Sequence, residues 1–253
     1  MHSAWALGPE RVAFVFFLSA LGLAVISMAA YAWHGRKRDV DVVSKGGQFL
    51  VGLGDFPMHW LMWVISPLVR LSLSLGLTAD FYSYLCLAIG LATGVLIGFG
   101  RLELAGWAIV LSGIADALDG RMARITHTAS NFGDFIDSTF DRFVEASTFL
   151  GFAVYLREMP WGTLVAGAAL AGALIVSYAR ARGEVLGVVC TGGLMQRGER
   201  VVFTAFACFL DPPLTRAFHW PSGTIAFWIM ALIAVSTFAT ATYRTIWIGR
   251  RLR

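Results

Sequence analysis

Charged residues are scarce in this chain. Only 14% of the 253 residues are Asp, Glu, Lys or Arg, whereas 57% are hydrophobic and the mean hydropathy is +0.69. A soluble domain carries about 25% charged residues, so this composition argues against a soluble globular protein, and it also excludes disordered and collagen-like chains. Cysteine is scarce as well. Cys86, Cys190 and Cys208 show no Cys-x-x-Cys spacing, which argues against a disulfide framework or a zinc site.

The apolar residues are gathered into separate runs that are long enough to cross a bilayer. We expect membrane spans near residues 12–33, 80–98, 104–124, 133–156, 161–182, 200–218 and 222–244. The Trp-containing segment 59–75 is typical either of an interfacial helix along the membrane surface or of a short amphipathic cap over the bundle. The sequence therefore predicts an all-α, polytopic membrane helical bundle.

The first apolar run has two interpretations. Ala30-Tyr31-Ala32 resembles a signal-peptide cleavage site. However, Glu10 and Arg11 precede the run without a basic cluster, and the run is longer than the roughly 7–15 residues of a signal core, which favours a spanning helix.

The distribution of Lys and Arg predicts the orientation. With the N-terminus outside, 16 of these 20 residues face the cytoplasm and 4 lie outside, whereas cleavage of a signal peptide would reverse the ratio. A basic balance of this kind points to the cytoplasmic leaflet rather than to nucleic acid. The cytoplasmic set is Arg36, Lys37, Arg38, Lys45, Arg70, Arg121, Arg124, Arg142, Arg180, Arg182, Arg197, Arg200, Arg244, Arg250, Arg251 and Arg253.

Four aspartates lie where membrane spans should be apolar. Asp116 and Asp119 end one span, and Asp137 and Asp141 open the next. Their spacings of three and four residues place each pair on one helix face, so two antiparallel helices could aim all four carboxylates at one point. One or two divalent cations would relieve the repulsion, and all-oxygen ligands favour Mg²⁺ or Mn²⁺.

The neighbours of these acids favour phosphoryl-type chemistry. Gly120 and Ala123 add no bulk on the same face, and Arg124 can pair with a phosphate. Two alternatives are that the acids merely pair with nearby arginines, or that the chain is a cation or proton transporter. The second is less favoured because a transport path needs polar groups near the midplane of the membrane.

A basic stretch near residues 177–200 is the second informative feature. Several arginines close to a metal centre suit a phosphate on a second substrate. The candidates are Arg180 and Arg200, together with Arg244 at the inner end of the last span.

The acidic string is similar to the signature of the CDP-alcohol phosphotransferase family. The matching pattern is Asp116-x2-Asp119-Gly120-x2-Ala123-Arg124-x8-Gly133-x3-Asp137-x3-Asp141. The resemblance implies a six-helix catalytic core, which we place over residues 78–253. It does not explain the extra spanning helix that we expect at 1–40 or the juxtamembrane segment at 41–77. It also implies a homodimer, and a CDP-lipid that donates its phosphatidyl group to an alcohol and releases CMP.

The resemblance also implies roles for individual residues. Asp116, Asp119, Asp137 and Asp141 would hold two metal ions, Mg²⁺ or Mn²⁺, and Asp141 would also be the catalytic base. The CDP-diacylglycerol contacts would be Asp80, Phe81, Tyr82, Ser83, Asp119, Gly120, Ala123, Arg124, Ser130 and Gly133.

The basic stretch resembles that of the bacterial phosphatidylinositol-phosphate synthases within this family. By this resemblance Arg180, Arg200 and Arg244 would bind the phosphate of the acceptor. Arg180 stands where that branch usually has lysine. Arginine keeps the charge but changes the geometry, so this departure argues less for the acceptor than the rest of the motif argues for the enzyme class. The resemblance makes inositol phosphate the expected acceptor, and glycerol 3-phosphate is the alternative because it also presents one phosphate and a free hydroxyl.

Overall fold

The computed structural model describes residues 9–34 and 54–253, with side chains from Phe14 onward, and contains eight helices and no strand in those residues. The all-α prediction is confirmed for this part of the chain. The basic residues Arg36, Lys37, Arg38 and Lys45 lie outside it. The helices are α1 (Pro9–Trp33), α2 (Phe56–Ser74), α3 (Ala79–Gly98), α4 (Leu102–Ile125), α5 (Asn131–Tyr155), α6 (Gly162–Val185), α7 (Arg197–Ala217) and α8 (Thr224–Arg251).

Among the described residues, four helices are long and apolar enough to cross a membrane: Phe14–Trp33 within α1, and α3, α6 and α8. The chain is therefore an integral membrane protein. The other three predicted spans coincide with α4, α5 and α7, which have 24, 25 and 21 residues. These three helices carry ionisable residues such as Asp116, Asp137 and Arg200, so hydropathy alone does not identify them as membrane spans. That they cross the membrane stays a prediction.

Helices α3 to α8 form a closed ring. Each contacts two ring neighbours, in the order α4, α3, α5, α6, α8, α7 and back to α4. Helices α1 and α2 lie outside the ring, where both pack on α4 and α1 also packs on α7. This arrangement agrees with a six-helix core and two additional helices, while the predicted division of the chain at residues 40 and 77 stays a prediction.

Successive ring helices are joined by short connections, so their ends alternate between the two ends of the ring. One end, called here the site end, receives the start of α3, α5 and α7 and the end of α4, α6 and α8. Two hydroxyl side chains cap helices at this end: Thr78 accepts a hydrogen bond from Phe81 N–H, and Ser130 accepts one from Gly133 N–H. The start of α7 is fixed by Glu199, whose carboxylate accepts from the Gln196 N–H at 3.1 Å.

Helices α3 and α5 approach each other closely at Gly94 and Gly151. A Cβ on Gly151 would lie 2.3 Å from the Gly94 carbonyl oxygen, and a Cβ on Gly94 would lie 2.2 Å from the Ser147 carbonyl oxygen. Only glycine permits this separation, which is the small-residue contact typical of membrane helices. The close approach fixes the distance between the helices that carry Ser83 and Asp137.

The two outer helices are attached to the ring by aromatic and hydrogen-bonded contacts. Phe17 of α1 stacks on Phe209 of α7, with ring centroids 4.3 Å apart. Further along, the Trp60 indole N–H of α2 donates to Ser27 Oγ of α1 at 3.0 Å.

Helix α2 buries one face against the ring. Its buried residues are His59, Met62, Ile65, Val69 and Ser72, spaced three or four residues apart as expected for a helix face. Met62, Ile65 and Val69 pack with Leu118 and Met122 of α4. Helix α2 therefore packs against the bundle, and its predicted placement along the membrane surface stays a prediction.

Candidate active site

Three of the four predicted metal ligands meet at the site end. Asp116, Asp119 and Asp137 each offer one carboxylate oxygen, and these oxygens all lie within 4.8 Å of one another. Asp116 and Asp119 are three residues apart near the end of α4, and Asp137 lies in the second turn of α5. A group of carboxylate oxygens at this separation suits a hard divalent cation, which would cancel their mutual repulsion.

Asp141, the fourth predicted ligand, is not in this group. Its carboxylate is paired with two guanidinium groups: Oδ1 contacts Nη2 of Arg197, and Oδ2 lies 3.7 Å from Nη2 of Arg142. Asp141 is buried one helical turn after Asp137. The spacing of the sequence places it beside the other acids, but the arginines hold both of its oxygens, so its role as a metal ligand stays a prediction.

Arg197 belongs to the basic stretch near residues 177–200, but the sequence does not predict its contacts with the acids. It is the first residue of α7, and it reaches the acids of α4 and α5 at once. Its Nη1 lies 3.2 and 3.3 Å from the two carboxylate oxygens of Asp116, in addition to the contact with Asp141. Arg197 is 81 residues from Asp116 along the chain, and no local spacing pattern could have indicated the contact.

The predicted nucleotide-contacting turn lies beside the acid cluster. Ser83 Oγ donates to Asp119 Oδ2 at 2.8 Å, which connects the first turn of α3 directly with a predicted metal ligand. Tyr82 is buried, and its hydroxyl lies 2.6 Å from Ser72 Oγ of α2. Asp80 and Phe81 are exposed at the same turn. Ser83 is therefore the member of this turn that touches the cluster in the described structure.

The other predicted CDP-lipid residues lie at the connection between α4 and α5. The Arg124 guanidinium folds back over Gly120, where a Cβ would be 3.3 Å from Nη1. Ser130 caps α5 through Gly133, so both residues form the start of that helix. Ala123 precedes Arg124 in the last turn of α4. The predicted set is thus brought to the same end of the ring as the acids, while its contact with a nucleotide stays a prediction.

The three predicted acceptor arginines differ in their surroundings. Arg200 is buried, with Nε 2.6 Å from Glu145 Oε1 and Nη1 3.3 Å from the Met195 carbonyl oxygen. Arg244 is also buried, and it donates to the carbonyl oxygens of Gly192 and Val176. Arg180 is about half exposed and pairs with Glu184 at 2.8 Å. Their shared role in binding a phosphate stays a prediction.

Glu145 is a residue of the site that sequence reasoning missed. Its two carboxylate oxygens contact two different arginines, Arg200 at 2.6 Å and Arg142 at 3.3 Å. Arg142 also donates to Ser177 of α6. Glu145 therefore connects α5 with α7, and through Arg142 with α6. A charged pair that is buried in this way holds both partners in fixed positions.

A cavity leads from these charged residues into the ring. It is bounded by α3, α4, α5 and α7, and its polar lining includes Asp141, Arg197, Glu145, Arg200, Ser112 and Thr204. The Asp141 carboxylate, two arginines and a mostly apolar cavity are therefore next to one another. This arrangement can hold an anionic group beside a cation and can place a carboxylate against a substrate hydroxyl.

Comparison with known proteins is consistent with this geometry. The model of the CDP-alcohol phosphatidyltransferase family matches residues 77–238, which include all of the predicted metal ligands. The phosphatidylinositol phosphate synthase of Mycobacteroides abscessus is 29% identical over 181 residues, covering 70% of this chain and 80% of the relative. The enzyme of the same name from Cutibacterium acnes is 34% identical over 161 residues, covering 61% of this chain and 76% of the relative.

Solved structures of a related enzyme are also similar to this chain in fold. The phosphatidylinositol phosphate synthase of Mycobacterium tuberculosis with CDP-DAG bound has a TM-score of 0.63 and 26% identity, covering 72% of this chain and 92% of that one. The structure of that enzyme with manganese and citrate has a TM-score of 0.64 and 25% identity, covering 73% and 88%. Over the region that holds the acid cluster, this chain belongs to the CDP-alcohol phosphatidyltransferase family.

Proposed function

We propose that this protein transfers a phosphatidyl group from CDP-diacylglycerol to a phosphorylated alcohol and releases CMP. The observation that carries the proposal is the meeting of the Asp116, Asp119 and Asp137 carboxylates, in a chain of this family, next to a cavity that Arg197 and Arg200 line. Inositol phosphate is the preferred acceptor, because relatives with 29% and 34% identity bear the name phosphatidylinositol phosphate synthase.

The residues of the site would divide the work of the reaction. Two divalent cations at the carboxylates, Mg²⁺ or Mn²⁺, would offset the charge of the donor's pyrophosphate and orient it. The Arg124 guanidinium would contact the same group. The acceptor oxygen forms a bond to the lipid-bearing phosphorus, the phosphorus–oxygen bond to CMP breaks, and the hydroxyl proton passes to Asp141. A hydroxyl is a poor nucleophile until a positioned base accepts this proton.

The acceptor phosphate would bind on the α7 side of the cavity. Arg200 lines that cavity and is held in place by Glu145. Arg180 and Arg244 lie at the same end of the ring and would complete the anion site. Because Arg200 is buried, it is desolvated before the substrate arrives, which strengthens its interaction with a phosphate.

An acceptor screen tests the proposal. The purified protein in lipid vesicles receives CDP-diacylglycerol, Mn²⁺ or Mg²⁺, and one of five acceptors: inositol 1-phosphate, glycerol 3-phosphate, inositol, serine or glycerol. We expect CMP release and a phosphatidylinositol phosphate product with inositol 1-phosphate. A product formed only with glycerol 3-phosphate would reassign the acceptor, and no CMP with any of the five would refute the proposed reaction.

The proposal places the site end at the cytoplasmic face, with the N-terminus outside. It is supported by the 16 to 4 distribution of Lys and Arg. A cysteine introduced at Thr128, an exposed residue of the α4–α5 connection, tests this placement. We expect an impermeant maleimide to label it in inside-out vesicles and not in intact cells, and the reverse pattern would overturn the orientation.

The family resemblance also leads us to propose that two copies of this chain form a homodimer in the membrane, in contact with its lipids. Cross-linking in native membranes, followed by mass measurement in detergent, tests the subunit number. A monomer in both measurements would contradict it.

A further inference from the structure

Arg197 stands between two of the carboxylates that would bind metal. Its guanidinium contacts both oxygens of Asp116 on α4, at 3.2 and 3.3 Å, and one oxygen of Asp141 on α5. Because Arg142 lies 3.7 Å from the other oxygen of Asp141, both oxygens of that residue face a guanidinium. The Asp141 carboxylate therefore faces cations supplied by the protein itself, while Asp119 and Asp137 remain grouped with Asp116.

This contact set makes Arg197 a rival of a divalent cation. A guanidinium carries a fixed positive charge on a planar fork that fits carboxylate oxygens, and it needs no added ligand. A cation that binds Asp116 and Asp141 needs the oxygens that this fork contacts. A second ion, added to one held by the group of three acids, therefore has to displace Arg197 from both residues.

We propose that Arg197 is a positioning residue that competes with divalent metal for Asp116 and Asp141, and that it thereby weakens binding of the second ion. The inference rests on the proposed function, since it concerns the same metal centre. Displacement would free the guanidinium beside the cavity, where an anionic substrate would bind. Entry of the second ion would then expose a positive charge for the phosphate groups of the substrates.

Contacts other than those of Arg197 also hold α7 in position. The start of the helix is fixed by the Gln196–Glu199 hydrogen bond, and the next turn is attached to α5 by the Arg200–Glu145 pair at 2.6 Å. About one third of the Arg197 side chain is exposed. Replacing it should therefore change the charge at the acids without removing the helix that carries it.

Mn²⁺ binding in the absence of substrate tests the inference. The full-length protein in detergent is titrated with Mn²⁺ alone, and free and bound ion are counted by electron paramagnetic resonance and by calorimetry. Arg197→Gln should bind the second Mn²⁺ at least about tenfold more tightly than the wild type, because a positive charge a few ångströms away has been removed. Arg250→Gln, which removes the same charge from the last turn of α8, is the matched control and should change the affinity less than about twofold.

The lysine variant gives an independent measurement. Arg197→Lys keeps the charge but cannot span two carboxylates with a fork, so its Mn²⁺ affinity should lie between those of the wild type and Arg197→Gln. If Arg197→Gln does not fold, this variant decides the question. Equal or weaker Mn²⁺ binding in the folded variants would overturn the inference while leaving the metal centre intact, whereas no Mn²⁺ binding by any of the proteins would overturn both.

Discussion

Asp211 holds three parts of the ring together at the end opposite the acid cluster, and its replacement offers a sharp test of the fold. The residue is fully buried in α7. Its Oδ2 accepts hydrogen bonds from the Tyr155 hydroxyl of α5 and the Gly223 N–H, both at 2.9 Å. Its Oδ1 accepts from the N–H groups of Ile225 and Ala226, at 2.9 and 3.0 Å. One carboxylate therefore satisfies the first N–H groups of α8 from a neighbouring helix.

The cost of Asp211→Asn follows from these four donors. The amide keeps one acceptor oxygen, but its NH₂ group then faces two of the former donors. The tyrosine hydroxyl can rotate and accept, whereas a backbone N–H cannot, so one buried donor is left without a partner. That loss costs about 1–3 kcal/mol, and the remaining bonds lose the contribution of the charge, so we expect a destabilisation of about 3 kcal/mol. Tyr155→Phe removes a single hydrogen bond and should cost about 1 kcal/mol.

Thermal unfolding in detergent measures the difference. For a chain of this size 1 kcal/mol corresponds to about 2–4 °C in Tm, so Asp211→Asn should lower Tm by roughly 6–12 °C and Tyr155→Phe by about 2–4 °C. Mn²⁺ affinity should stay unchanged in both variants, because the acid cluster is at the other end of the ring. A Tm decrease for Asp211→Asn that does not exceed that of Tyr155→Phe would refute this account of the buried carboxylate.

Three further predictions concern two residues of the site and the close contact between α3 and α5. Asp137→Asn should lower both Mn²⁺ affinity and the rate of CMP release by more than about a hundredfold. Mutation of residues that only support the ligands of a metal site already lowers metal affinity or activity by about 10–100-fold. Asp134→Asn, at an exposed residue one turn earlier, is its control, and equal losses in the two would contradict the assignment. Arg200→Ala should raise the KM for a phosphorylated acceptor and leave the KM for CDP-diacylglycerol nearly unchanged; a parallel rise in both constants would argue against its role. Gly151→Ala should destabilise the fold by about 1–3 kcal/mol, because its Cβ would lie 2.3 Å from the Gly94 carbonyl oxygen. Gly167 has open space around it, so Gly167→Ala should stabilise the fold by roughly 0.5–1 kcal/mol in the same thermal assay.

The features that depend on near neighbours in the chain could be predicted. The grouping of Asp116 and Asp119 follows from their helical spacing, and the approach of Asp137 follows from the short connection between α4 and α5. The same reasoning includes Asp141, because a spacing of four residues keeps it on the face of Asp137. Helical spacing does not reveal that both carboxylate oxygens of Asp141 are in contact with arginine side chains. Spacing gives the face of a helix, and the partner across the bundle decides where a carboxylate on that face binds.

The features that depend on closure of the ring could not be predicted. The contact between Arg197 and Asp116 joins residues 81 positions apart, and that between Arg200 and Glu145 joins residues 55 apart. Asp211 and the donors of α8 are closer, 12 to 15 positions apart, but they meet only after the chain has turned back at Gly223. In each case two helices must be placed before either side chain has a partner, and hydropathy does not determine which helices become neighbours.

The position of α2 links the outer helices to the chemistry of the ring. On one side its Trp60 indole donates to Ser27 of α1, and on the other its Ser72 hydroxyl contacts the buried Tyr82 of α3. The residue after Tyr82 is Ser83, which donates to Asp119 in the acid cluster. The turn of α3 therefore has a fixed contact on each side, with α2 behind it and a carboxylate in front of it. Because a shift of the turn would break one of these hydrogen bonds, the cluster depends on packing outside the ring as well as on the motif that carries its acids.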